Sequence, residues 1–317
     1  MSRALILCAA FLLDAAIGDP EGIWHPVRAI GKFVSRLEDR VRHFCGGNEG
    51  ALKIGGAVIV ALTCAACGLI PWLILKALGF ISVWLRIAAE LVLCWYMIAA
   101  GSLKKESMRV YEELDRRSIG GARYALSRIV GRDTDSLDEE GIIKAAVETV
   151  AENTTDGVVA PMLAYAIGGI TGMFIYKAVN TMDSMLGYMD EHYRSIGCAA
   201  ARTDDLFNYI PSRVTAHIMI MCCPLAGLDR KNAARVFKRD KNNHKSPNAG
   251  QTEAVMAGAL GIQLGGSAYY FGKLYEKKTF GDPLRSAVPG DIERANKLMY
   301  IAAIFSLALC MIIAVIL

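Results

Sequence analysis

The run IGGAVIVALTCAACGLIPWLIL, residues 54–75, holds 22 residues without a charge between Lys53 and Lys76. A helix of roughly 20 apolar residues crosses a hydrocarbon core about 30 Å thick, so this run reads as a membrane span. Residues 77–101 form a similar run that carries Arg86 and Glu90. Spaced four apart, these share a helix face and read as a structural ion pair. The two runs predict a helical hairpin with its tight turn near Lys76. Residues 299–317 are again uncharged. The chain is 54% hydrophobic, above the ~45–50% of soluble domains.

The start, residues 4–18, has the outline of a signal peptide. Asp14 interrupts it, and GDPEGIWHPVRAIG follows in place of a cleavage scar, so a short uncleaved membrane helix is expected. Two X-Pro bonds, at Pro20 and Pro26, predict a stiff excursion there. The nine cysteines include Cys64 and Cys67 as a CxxC inside the apolar run. With no second ligand pair they read as packed small hydrophobes, not as a zinc site or a disulfide framework. A net charge of +4 is too small to argue for nucleic acid.

The positive charges sort by segment. Arg28, Lys32, Arg36, Arg40 and Arg42 precede the first long run. Lys104, Lys105, Arg109, Arg116, Arg117, Arg123, Arg128 and Arg132 follow the second, and residues 230–245 read as another basic loop. By the positive-inside rule these lie in the cytoplasm. Residues 157–176, 210–228 and 254–271 are apolar, and the first and last are rich in Gly and Ala. Such segments pack on protein or re-enter instead of facing lipid. Residues 102–156 read as helical, with breaks near Gly120–Gly121 and residues 131–138, and TDSLDEE from Thr134 offers a helix start. No useful strand alternation is visible. The expectation is an all-α polytopic membrane protein with membrane-embedded or re-entrant helices. It forms a single domain over residues 1–317, with a cytoplasmic helical segment at about 102–156 and an active site at the cytoplasmic face of the cell membrane.

Acidic and amide side chains recur at helical spacing in the central third. Glu148 and Glu152 are four apart, with Asn153 and Asp156 near the same face. Asn180 and Asp183 repeat the pattern, as do Asp204, Asp205 and Asn208. Like charges at that spacing repel unless a cation lies between them. Oxygen donors with few Cys and His suit magnesium, so Glu148, Glu152, Asp156, Asp183, Asp204 and Asp205 are candidate ligands. Interleaved Lys177, Arg194, Arg202 and Arg213 match phosphate or carboxylate, or neutralise the acids. The segment His244-Lys-Ser246-Pro-Asn248-Ala-Gly lies between the basic run and Glu253, and its Pro-Asn-Ala-Gly reads as a turn, either a plain surface turn or one with N–H groups that suit an anion. His25 is a base, a phosphate partner or a cap.

Five stretches together resemble the membrane-bound adenosylcobinamide-phosphate synthase family. They are LLDAAIGDP…HPVRAIG (12–31), ETVAENTTDGVVAP (148–161), YKAVNTMDSMLGY (176–188), AARTDDLFNYIPSRVTA (200–216) and SPNAGQTEAVMAGALGIQLGG (246–266). One departure is Gln251-Thr252, where the family commonly has an aromatic residue and proline. The resemblance implies ATP- and Mg2+-dependent joining of aminopropanol O-phosphate to the carboxyl of adenosylcobyric acid. The corrinoid is then substrate and ATP co-substrate. On that reading Glu148, Glu152, Asp183, Asp204 and Asp205 are the metal ligands or acid/base groups. His25, Arg28, Asn153, Lys177, Asn180, Arg202, Asn208, Arg213, Ser246 and Asn248 contact substrate. Membrane lipid, other cobalamin-assembly membrane enzymes and a second copy of the chain are the implied partners, and nucleic acid is not. No Walker A loop is present. A magnesium-dependent membrane transferase acting on a diphosphate-linked lipid is the alternative, and a transporter with buried acids is a second.

Overall fold

The computed structural model describes all residues except Met1, Pro20, Glu21, Ile23, Trp24, Met189 and Phe271. The excursion expected at Pro20 therefore lies outside the described residues. In chain order the helices are α1 (Arg3–Ile17), α2 (Pro26–Cys45), α3 (Glu49–Ile81), α4 (Val83–Trp95), α5 (Ala100–Asp115), α6 (Ile119–Ser127) and α7 (Glu139–Asn153). A π-helical turn, Thr154–Val159, leads into α8 (Ala160–Leu186), α9 (Cys198–Ala226), α10 (Arg230–Asp240) and α11 (Ala249–Leu260). Four short strands, β1 (Leu264–Gly265), β2 (Ala268–Tyr270), β3 (Lys273–Tyr275) and β4 (Thr279–Phe280), precede α12 (Gly290–Ile316). Among the described residues, four helical stretches are long and apolar enough to cross a membrane: Glu49–Ile81, Val83–Asp115, Glu139–Leu186 and Gly290–Ile316. The protein is an all-α polytopic membrane protein, as its apolar runs indicate. It packs as two compact units.

The first unit comprises Met1–Ile98, Ala160–Asn208 and Leu307–Leu317. At 15 residues, α1 is about 22 Å long, shorter than a hydrocarbon core. The expected turn at Lys76 is corrected: α3 runs through Lys76 to Ile81. Lys76 is exposed and lies over the Trp72 ring at 4.9 Å. A snorkelling lysine does not break a helix. The break falls at Ser82, whose Oγ accepts from the Trp84 N–H at 3.2 Å and caps α4. The Arg86–Glu90 pair is present at 4.0 Å, and the Tyr165 hydroxyl of α8 donates to Glu90 at 2.9 Å.

The most apolar part of the stretch Glu139–Leu186 is 67% buried, against 28–33% for the other three candidates. Small residues let it pack on protein, as read from its Gly and Ala content. α8 is also broken. Gly169 has φ 59° and ψ −154°, a combination open essentially to glycine. A Cβ on Gly172 would stand 2.7 Å from the Ala164 carbonyl oxygen. In a straight helix those residues would be about 12 Å apart along the axis, so the chain folds back at Gly169. Gly172→Ala is expected to cost about 1–3 kcal/mol by overpacking, visible as a lower melting temperature of detergent-purified protein. An unchanged melting temperature would remove the fold-back from the account.

The second unit comprises Ala99–Val159 and Tyr209–Ser306. The break expected at Gly120–Gly121 falls earlier, at Arg117 with φ 58°. Ser118 then caps α6 by accepting from the Gly121 N–H at 3.2 Å. α7 starts where TDSLDEE suggested, with Asp138 accepting from the Gly141 N–H at 2.8 Å and Glu139 and Glu140 in the first turn, beside the positive helix end. The basic loop expected at 230–245 is mostly the helix α10. Its buried Ala233, Val236 and Phe237 recur at i, i+3, i+4 beneath the charges that concealed them. All twelve residues of α11 are buried.

The second unit also holds strands, all shorter than a pattern of useful length. β1 pairs with β4, and β2 with β3, both antiparallel. Two or three residues per strand are too few to show alternation. Such ribbons are marginal alone, and side chains anchor these. Asp133 accepts from the Gly272 N–H at 2.7 Å, and Asp240 accepts from the Gly281 N–H at 2.8 Å. Arg239 bonds both Asp240 and Asp282, and its guanidinium holds the Asp240 carboxyl below the usual carboxylate range.

Candidate active site

Three glutamates of the second unit lie within electrostatic reach of one another: Glu148 and Glu152 from α7, and Glu253 from the middle of α11. Helical geometry places Glu148 and Glu152 one turn apart on one face. Glu148 is 4% exposed and Glu253 5%. Cations surround them. Arg132, from the loop before α7, pairs with Glu148 Oε2. The Gly265 N–H of β1 donates to Glu148 Oε1 at 2.6 Å. Lys277, between β3 and β4, donates to the Tyr270 hydroxyl at 2.6 Å and acts electrostatically on Glu253. His244 accepts at Nδ1 from the Ser246 N–H at 3.0 Å.

Burial pushes the Glu253 carboxyl well above the usual range, and Glu148 and Glu152 push it further, against Arg132 and Lys277. Burial, then the Lys277 charge, lowers His244, so its ring is neutral near pH 7. Arg132 and Lys277 oppose the negative charge of the glutamates, where an unpaired charge would cost several kcal/mol. Glu148 and Glu253 form a buried floor, while Glu152, Arg132, Lys277 and His244 are half-buried. A proton acceptor held neutral beside two fixed cations suits reactions in which an anion is held while a proton is removed.

A resident metal centre does not fit this floor. Both Glu148 oxygens already hold donors. Among the described residues, no group of three or more His, Cys, Asp and Glu side chains could hold a metal ion. The nine cysteines are free thiols, five of them buried.

The other sequence candidates divide between the units. Asn153, Asp156, Arg213, Ser246 and Asn248 belong to the second, with Glu148 and Glu152. There the Asn153 amide donates to the Thr149 carbonyl of its own helix at 3.0 Å. Arg213 donates to Asn248 Oδ1 at 3.1 Å and to the Tyr209 carbonyl at 2.6 Å and lies over the Tyr209 ring at 3.5 Å. It thereby fixes the start of α11, and Pro247 and Asn248 form the expected turn, which leads into that helix. His25, Arg28, Lys177, Asn180, Asp183, Arg202, Asp204, Asp205 and Asn208 belong to the first unit. The Asn208 amide donates to Asp204 at 3.0 Å, and the Tyr176 hydroxyl donates to Asn208 at 2.8 Å, a buried chain joining α8 and α9. Lys177, Asn180, Asp183 and Asp205 are half-buried, and Arg28 and Arg202 are exposed. His25 caps α2, accepting from the Val27 N–H at 3.2 Å, with its Nε2 3.5 Å from Asp19.

Sequence reading did not single out Glu253, Arg132, Lys277 or His244 as site residues. Glu253 carried a usable signal, as the lone acid in AGQTEAVMAGAL. Lys277 sits in KLYEKK, which is indistinguishable from a solvated surface.

Residues 7–299 match the CobD/CbiB protein family. The chain is 45% identical over 296 residues to the cobalamin biosynthesis protein CobD of Pelobacter propionicus, covering 93% of this chain and 90% of that one. It is 42% identical over 317 residues to a CobD of Clostridium perfringens, with 97% and 96% covered. It is 41% identical over 305 residues to the cobalamin biosynthesis protein CbiB of Salmonella typhimurium, with 96% and 95% covered. No solved structure matches. The chain belongs to the CobD/CbiB family.

Proposed function

We propose that this protein acts in cobalamin biosynthesis as an ATP-dependent amide synthase. It joins (R)-1-amino-2-propanol O-phosphate to the free carboxyl of adenosylcobyric acid and gives adenosylcobinamide phosphate at the cytoplasmic face of the inner membrane. Family membership and the relatives' names support the pathway. The observation that carries the chemistry is the buried Glu253 beside Glu148, Glu152, Arg132 and Lys277.

A carboxylate and an ammonium form only a salt at neutral pH, so the acid must be activated and the amine deprotonated. In the proposed route the substrate carboxylate attacks the γ-phosphorus of ATP and ADP leaves, giving an acyl phosphate. The amine nitrogen then attacks the acyl carbon; a C–N bond forms, the C–O bond to phosphate breaks, and inorganic phosphate departs. Neutral His244 at the rim first takes the proton that burial keeps on Glu253, and the ammonium proton then passes to the Glu253 carboxylate so formed, whose raised proton affinity suits a general base. The second nitrogen proton leaves with the inorganic phosphate, and Arg132 and Lys277 hold the anionic reactants. Magnesium travels with the nucleotide phosphates, needing one or two carboxylates and no dedicated cage, with Glu152 as the candidate in the second unit.

The test is purified protein incubated with adenosylcobyric acid, aminopropanol phosphate, Mg2+ and ATP, with mass spectrometry of the corrinoid. Adenosylcobinamide phosphate with matching ADP is the expected result. Corrinoid returned unchanged with every reactant present overturns the proposal, and a lipid-linked product would favour a diphosphate-lipid transferase.

A further inference from the structure

The first unit carries an apolar cavity of about 370 Å3 between α2 and α3. Leu37, Val41 and Phe44 of α2 and Ile54 and Val58 of α3 line it, and Arg40 is its one charged wall residue.

The setting of α2 gives the cavity meaning. Gly56 of α3 meets the Ile196 carbonyl, and the adjoining Gly197 meets the Leu186 carbonyl of α8. The start of α3 and the end of α8 are therefore at one level. α2 touches both at that level: Val41 presses on Gly55, and a Cβ on Gly31 would lie 3.5 Å from Met185 Sδ. Those contacts are ten residues, or about 15 Å, apart along α2. A helix running alongside α3 would place them at levels about 15 Å apart. α2 therefore lies crosswise over the end of the spanning helix, in the manner of an interfacial amphipathic helix.

Its two faces agree with that. Pro26, Ile30 and Val34 are buried, while Arg28, Lys32, Arg36 and Arg40 are all exposed and recur every four residues. None of these four makes an ion pair among the described residues, whereas Arg42 is committed to Glu38 at 2.8 Å and to the His192 carbonyl at 3.1 Å. Asp39 is the one exposed acid on the helix. Below the basic end, Ile54 and Val58 of α3 are 69% and 46% exposed.

We propose that this cavity binds an anionic phospholipid, with one acyl chain in the α2–α3 groove and the headgroup phosphate on Arg36 and Arg40. A guanidinium matches phosphate oxygens in two parallel hydrogen bonds, and an apolar groove opening beneath it takes the chain that a free phosphate lacks.

The test uses the full chain, delipidated in detergent and titrated with dioleoylphosphatidylglycerol or dioleoylphosphatidylcholine, with bound lipid counted by native mass spectrometry. Wild type is expected to retain phosphatidylglycerol roughly tenfold more tightly. Arg36→Gln with Arg40→Gln is expected to abolish that preference. Val58→Trp, which fills the groove from a lipid-facing position, is expected to lower phosphatidylglycerol retention while leaving the thermal unfolding profile unchanged. Equal retention of the two lipids by wild type overturns the proposal, as does a preference that persists in the double arginine variant. A groove-filled variant that binds like wild type overturns the acyl-chain seat.

Discussion

Replacing Glu253 by Gln is expected to stabilise the fold and to abolish amide formation at the same time. The folded carboxyl keeps its proton well above the ordinary 4.5 because burial and two neighbouring carboxylates oppose its charge. The sign follows from linkage: this group's contribution is fully present below about pH 4.5 and is lost as pH rises through the displaced value. Each pH unit between the two costs about 1.4 kcal/mol. Gln has the same shape and no such titration. Melting curves of wild type and Glu253→Gln should therefore run together near pH 4 and separate as pH rises, with the variant higher by about 2–4 °C or more at pH 8. The same variant has no base to take the amine proton, so turnover is lost although substrate still binds. A variant no more stable than wild type at pH 8 contradicts the buried-acid account. One that is stabilised yet fully active contradicts only the role as base.

Arg132→Met is expected to be the most destabilising single change in the second unit, at about 3–5 kcal/mol. Arg132 pairs with Glu148 and also opposes charge on Glu253. Its loss leaves buried carboxylates facing one another with only half-buried Lys277 in compensation. The penalty belongs to the uncompensated charge, so adding Glu148→Gln should recover more than half of it. A double-mutant cycle on melting temperature measures this. If the double variant is no better than Arg132→Met alone, the arginine matters for packing and the electrostatic reading of the floor is wrong.

How much of this could be read from the chain depends on the range of the forces involved. A charge-free run of 22 residues admits one cheap solution in lipid, so the spans were legible. The spacing of Glu148 and Glu152, of Arg86 and Glu90, and of Asp204 and Asn208 is local helix geometry, and each pair shares a face. Turns were read less well. Lys76 looked like a break because it carries charge, but a capping hydroxyl at Ser82 ends the helix. α10 hid three buried apolar residues under a basic run, and the strands were too short to leave a period.

By itself the sequence determined the class of the protein, the family through its five ordered motifs, and the helix face that Glu148 and Glu152 share in the candidate site. Only the tertiary structure decided what that face meets. Glu253 is more than a hundred residues from Glu148, and Lys277 further still. They are drawn together because α11 is buried on every side and the β1–β4 ribbon packs against α7 and α11. Periodicity reports how a segment meets its own neighbours. Which distant segment supplies the opposing charge is settled by the packing free energy of the whole unit.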